Sequence, residues 1–170
     1  MEFLDHAQIL SNSDEGAIKS QAQSMHLPDS VHEVLYATYP KSGEEFSRTL
    51  FHDLEREHPH FINGSGLQKN VLVIAVGFEP NSMAVHCGTE VCQDIKIYDE
   101  GRVDGILDQM RPALADDDNT VGMILATRAA ADTTVRRQSM QDVPTWSVFI
   151  AATMVLVVLG AVGLITYLFI

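Results

Sequence analysis

The sequence predicts an α/β domain, a small sheet sandwiched by helices, followed by one C-terminal transmembrane helix. Three observations carry that expectation. Apolar residues recur at helical spacing in some stretches and form short β-rich runs in others. Charge stops early: the last Lys or Arg is Arg137 and the last acid is Asp142. Beyond them the segment 146–170, WSVFIAATMVLVVLGAVGLITYLFI, has no ionisable side chain apart from its tyrosine. A chain of 170 residues has room for one ordinary domain and a span, and not for two domains and a span. The expected division is a soluble domain over 1–132, a polar linker over 133–145 and the helix over 146–170.

Taken in order, residues 14–25 make the first predicted helix. Ser11 and Asn12 offer N-cap oxygens, Asp14 and Glu15 suit the first turn, and Pro28 closes the segment. Residues 31–39, VHEVLYATY, alternate strongly enough for a strand. In 43–58 the residues Phe46, Leu50 and Leu54 fall four apart, an apolar helical stripe that Pro59 ends. Residues 70–78, NVLVIAVGF, form a continuous apolar run, the mark of a central strand covered on both faces. The turn EPNS then leads into a strand at 83–87, so these two strands are expected to pair as a hairpin. Val103, Ile106, Leu107, Met110 and Leu114 trace one helix face, and a last helix covers 120–131. The predicted order is α, β, α, β, β, α, α and the span, which packs most simply as a short sheet with helices on both faces.

Composition narrows the function. The 11 Lys and Arg against 23 Asp and Glu give a net charge of -12, so the basic face that phosphate neutralisation requires is missing and nucleic acid is not an expected partner. Two cysteines are too few for a secreted disulfide scaffold. Hydrophobic residues at 46%, set in periodic runs, exclude disorder for most of the chain.

The segment 146–170 is long enough, at about 1.5 Å per residue, to cross a hydrocarbon core of about 30 Å. Trp146 and Tyr167 suit its two interfaces, and Pro144 separates it from what precedes. Gly160 and Gly163 permit close approach of a partner helix, although their spacing is not GxxxG. The start MEFLDHAQIL has none of the three regions of a signal peptide. Arg136 and Arg137 precede the span and no basic residue follows it, so the positive-inside rule favours a tail-anchored protein with its domain in the cytoplasm.

Three groups of residues invite chemistry. Cys87 and Cys92 in HCGTEVC stand open as buried thiols, as a disulfide or as a redox or metal pair, with buried thiols the first reading. His52, His58 and His60 cluster near the end of the second helix, where a dipole interaction explains them without a metal. Asp116, Asp117 and Asp118, followed by Asn119, are weak candidates for a hard cation. They lack the EF-hand pattern and are more simply an acidic N-terminal cluster on the last helix. No Walker loop, GxSxG or strand-borne GxGxxG is present. No catalytic residue and no cofactor is expected.

FLDHAQILS resembles the "DyAgvLs" opening of TPM-domain proteins. The likeness continues through NVLVIAVGFEPNSMAVHCGTEV, similar to that family's strand–turn–strand, and ends in the helix pair VDGILDQMRPALADDDNTVGMILATRAAAD. It covers most of residues 2–132, and the HP of EREHPHFI resembles an actinobacterial, membrane-anchored branch. The resemblance implies a compact TPM-like α/β sandwich tethered by one helix and working beside a large membrane complex. Some members are credited with phosphatase activity or metal binding. Here Lys69 and Asn70 replace the family's acidic residue before the central strand, and the basic residue of the hairpin is missing from EPNSMAVHC, which counts against both activities.

The expected function is therefore that of a non-catalytic accessory or assembly subunit of an integral-membrane complex. The resemblance points to a bacterial respiratory (cytochrome bc1–cytochrome oxidase) supercomplex as one host. Its partners would be the lipid bilayer, subunits of that complex and, because the domain is acidic, a basic protein surface. The alternatives are a membrane-anchored phosphatase-like hydrolase resting on Asp116, Asp117 and Asp118, and a redox module resting on Cys87 and Cys92.

Overall fold

A computed structural model of the chain describes residues 1–137 except 42–44, 65, 79 and 80. The predicted span, with Trp146, Gly160, Gly163 and Tyr167, and the linker from 138 onward lie outside the described residues. Among the described residues no helix is long and apolar enough to cross a membrane.

A four-stranded mixed sheet organises residues 1–137. Strand β1 (Glu2–Asp5) leads to helix α1 (Asn12–Ser24), strand β2 (Glu33–Tyr39) and helix α2 (Phe46–Glu57). A 3-10 turn (Pro59–Phe61) and the small ladder β3 (Ile62–Asn63) with β4 (Gly66–Leu67) follow. Then come β5 (Val71–Phe78), β6 (Asn81–Cys87), α3 (Thr89–Asp94), α4 (Arg102–Ala115) and α5 (Asn119–Ala131). The sheet order is β1-β2-β5-β6, with β1, β2 and β5 parallel and β6 antiparallel to β5. The predicted hairpin is present, with Val76 opposite Met83 and Leu72 opposite Cys87.

Helices cover both faces. One core gathers Ile18 of α1, Val34, Tyr36, Leu72 and Ile74 of the sheet, and Ile106, Met110 and Met123 of α4 and α5. The other sets Leu4, Leu35, Ala37, Val73 and Ala75 against Phe46, Leu50 and Leu54 of α2, and against Phe61. Successive strand residues point to opposite faces, so adjacent residues of β2 serve different cores. The alternation seen in VHEVLYATY therefore does not separate a wet face from a dry one; Val34 to Tyr39 are all buried. Between the layers the Tyr36 hydroxyl meets the Thr127 hydroxyl at 2.8 Å, which satisfies both buried groups.

The helix boundaries follow local chemistry. Ser11 caps α1 in a full capping box, accepting from the Asp14 N–H while the Asp14 carboxylate accepts from the Ser11 N–H. The Ser11 hydroxyl, donating to the Asp14 carboxylate at 2.6 Å, and then the Ser11 N–H favour the ionised acid and hold Asp14 below the usual carboxylate range. Five elements are missing from the order expected from sequence: β1, the 3-10 turn, β3, β4 and α3. Strand β1 is four residues long and half charged, and it exists because it pairs with β2 and stacks Phe3 on Tyr36, ring centroids 5.4 Å apart. Helix α3 is a six-residue turn opened by Gly88.

Residues 133–137, expected to begin a linker, lie against the domain. The Arg137 N–H donates to the Gly101 carbonyl at 2.9 Å, Arg136 pairs with Asp99 at 2.6 Å, and Arg137 pairs with Asp104 at 3.4 Å. The two arginines that weighed on sidedness are thus ion-paired to the domain's own acids.

Candidate functional site

Chemistry-bearing side chains gather where β1 lies beneath α2. Leu4 points into the α2-side core, so the pleat turns Glu2 and His6, two residues either side of it, toward the same helix. The His6 N–H donates to the Thr38 carbonyl at 3.0 Å and continues the parallel pairing past the strand end. On α2, Asp53 and Glu57 are four apart and share a face. The stripe Phe46–Leu50–Leu54 packs downward, which leaves Asp53 buried at its margin, 8% exposed. His6 Nε2 comes to 3.7 Å from Asp53 Oδ2 and 3.6 Å from Glu57 Oε1.

Arg56, the neighbouring cation, reaches Asp53 Oδ1 at 2.8 Å and Glu57 Oε1 at 2.5 Å. Its hydrogen bond to Glu57 lowers that carboxyl below its ordinary value and raises the guanidinium. Beside them Tyr39 packs its ring 5.1 Å from the His6 ring and edge-on to Phe46. Burial, and then the Asp53 charge, push the Tyr39 phenol far above its usual range, so it is neutral.

A second cluster forms at the other end of β1. The 3-10 turn after α2 sets His58 and His60 on the two oxygens of Glu2, at 2.8 and 3.1 Å. The histidines read from sequence as dipole partners of a helix end are instead partners of a carboxylate 56 and 58 residues away. Among the described residues, two sets of three His, Cys, Asp or Glu side chains bring their ligand atoms within 4.8 Å of one another: Glu2, His58 and His60, and His6, Asp53 and Glu57. His52 belongs to neither, although its Nδ1 lies 3.8 Å from Asp53 Oδ1. No signal in the sequence pairs His6 or Glu2 with α2, because the contact depends on β1, itself unpredicted.

The residues singled out from sequence are engaged elsewhere. Asp118 is the N-cap of α5 and accepts from the Val121 N–H at 3.0 Å. Asp116 ends α4, and Asp117 takes a left-handed φ of 58° in the two-helix turn. None of the three belongs to a converging set. Cys87 at the end of β6 and Cys92 in α3 are joined by a disulfide, Cα atoms 5.3 Å apart. The bond lies along a groove of about 340 Å³ that His86, Val103 and the largely exposed Tyr98 also line. Burial lowers the His86 pKa below the ordinary histidine value.

No family model matches the chain, and no curated protein matches it. Solved structures do. The N-terminal domain of a protein from P. gingivalis, determined by NMR, is similar with a TM-score of 0.55 at 15% identity, over 81% of this chain and 87% of that one. The BA42 protein from the psychrophilic Bizionia argentinensis is similar with a TM-score of 0.50 at 14% identity, over 80% and 90%. The N-terminal domain of a Corynebacterium glutamicum protein has a TM-score of 0.48 at 14% identity, over 81% and 82%. The likeness is one of fold.

Proposed function

We propose that the chain is a TPM-like, non-catalytic accessory or assembly subunit of an integral-membrane complex. The observation that carries this reading is the 25-residue run 146–170, free of acidic and basic side chains, joined to an acidic domain in a chain with a net charge of -12. Such a run favours the bilayer, and an acidic domain beside it is repelled by anionic headgroups and attracted to basic protein surfaces. The positions with the most chemical promise in the sequence serve architecture: Asp118 caps a helix, and Cys87 and Cys92 tie a strand to a short helix. A bacterial respiratory supercomplex is the proposed host, on the TPM resemblance alone.

The test is purification of the tagged full-length protein from its own membranes in mild detergent. Stoichiometric retention of membrane subunits is expected, weakening as salt rises if the acidic domain makes the contact. Recovery of the chain alone would overturn the reading. The domain is proposed to face the cytoplasm, where the Cys87–Cys92 disulfide of the structure would be opened by the reducing pool. Alkylation in intact cells should then label both thiols, and a disulfide in vivo would put the domain on the other side.

A further inference from the structure

His6, Asp53 and Glu57 converge without satisfying one another. His6 Nε2 is sealed from solvent and has no hydrogen-bond partner among the described residues. Its nearest carboxylate oxygens stand at 3.7 and 3.6 Å, beyond hydrogen-bond length. Tyr39, only 4% exposed, brings to the same place a hydroxyl that is also sealed and lies against the Asp53 carboxylate. A buried polar group left unmet is destabilising, and His6 Nε2, aimed between two carboxylates, calls for a ligand that meets it.

The spacing identifies that ligand. In a tetrahedral site with bonds of about 2.0 Å, ligand atoms lie about 3.3 Å apart, a few tenths of an ångström less than the two separations from His6, and all three ligand atoms lie within 4.8 Å of one another. We propose that His6 Nε2, Asp53 Oδ2 and Glu57 Oε1 bind one divalent transition-metal ion of the zinc class, with a water molecule in the fourth position. An imidazole with two carboxylates suits such an ion better than Mg²⁺ or Ca²⁺, which take all-oxygen sets. The two acids balance the ion's charge. The neutral Tyr39 hydroxyl is a donor, with the Asp53 carboxylate or the bound water as its acceptor.

Arg56 is the competitor. It shares Glu57 Oε1 with the site, and its side chain is 57% exposed, free to swing into water when the ion enters. The cluster of Glu2, His58 and His60 offers a built-in control, since its carboxylate is already closed by two hydrogen bonds. The metal site stands apart from the accessory-subunit reading and does not depend on it.

The experiment is a titration of chelator-stripped full-length protein, in mild detergent, with Zn²⁺ against a chromophoric zinc chelator. One ion per chain is expected, not displaced by excess Mg²⁺. His6→Gln should weaken binding at least about tenfold. Arg56→Gln should tighten it roughly threefold to tenfold by removing a nearby positive charge. The double change His58→Gln with His60→Gln should leave it unaltered. His6 and Arg56 are partly exposed, so these variants fold even if Asp53→Asn does not. No stoichiometric uptake, uptake that survives His6→Gln, displacement by Mg²⁺, or loss in the His58/His60 variant would each overturn the proposal.

Discussion

The Arg102 guanidinium donates through Nη2 to the Ala130 carbonyl, 2.9 Å away, and so ties the first turn of α4 to the last turn of α5. Its other nitrogens reach the Ile95 carbonyl at 2.8 Å and the Val135 carbonyl at 3.0 Å. Arg102 is fully buried, and burial lowers its pKa. Three carbonyls from three segments converge on one cation. Arg102→Met should therefore strand all three and cost about 3 kcal/mol, read as a lowered denaturation midpoint. Arg102→Lys, with no planar fork, should recover only part of the loss.

Two glycines should respond in opposite senses to alanine. A Cβ on Gly88 would sit 1.7 Å from the Gln68 carbonyl oxygen, a backbone atom that cannot step aside, although φ at this position is an ordinary -71°. Gly88→Ala should lose about 3 kcal/mol or more, or fail to fold. Gly16 lies inside α1 with nothing within 4 Å of its would-be Cβ. Gly16→Ala should raise stability by about 0.5–1 kcal/mol. Thermal unfolding of the two variants checks both.

His86 should make stability depend on pH. Its ring is edge-on to Phe51 and meets the Ser47 hydroxyl at 3.3 Å, and burial lowers its pKa from 6.5. The unfolded chain then binds a proton that the folded chain refuses. Stability from this group is complete above pH 6.5 and falls as pH drops through the lowered folded value. His86→Gln should flatten that slope in urea titrations run between pH 7 and pH 5; an unchanged slope would assign it to other groups.

Reducing the Cys87–Cys92 bond should cost about 2 kcal/mol, the loop-closure contribution of so short a ring. Cys87→Ser should reproduce the loss and abolish any further response to reductant. Denaturation with and without a reducing agent, with thiols counted by mass spectrometry, measures it.

Much of the fold was legible because helices and strands that bury one consistent face announce it locally. The Phe46, Leu50 and Leu54 stripe, the capping residues around Ser11 and Asp14, and the apolar run of β5 each carry their signal within a few residues. The acids at 116–118 were equally legible as the start of a helix, and Asp118 serves there. Strand β1 was not legible, since Glu2 to Asp5 has no pattern of its own and becomes a strand only by pairing with β2, thirty residues on. The His6, Asp53 and Glu57 cluster was hidden for the same reason.

By itself the sequence determined the helix and strand classes, the acidic character of the domain and the charge-free run 146–170, because periodicity, capping and charge are properties of neighbouring residues. Only the tertiary structure decided which histidines face which carboxylates, which arginine is buried and which cysteines meet. Those contacts join residues tens of positions apart, and they exist only once the sheet has set its order and register.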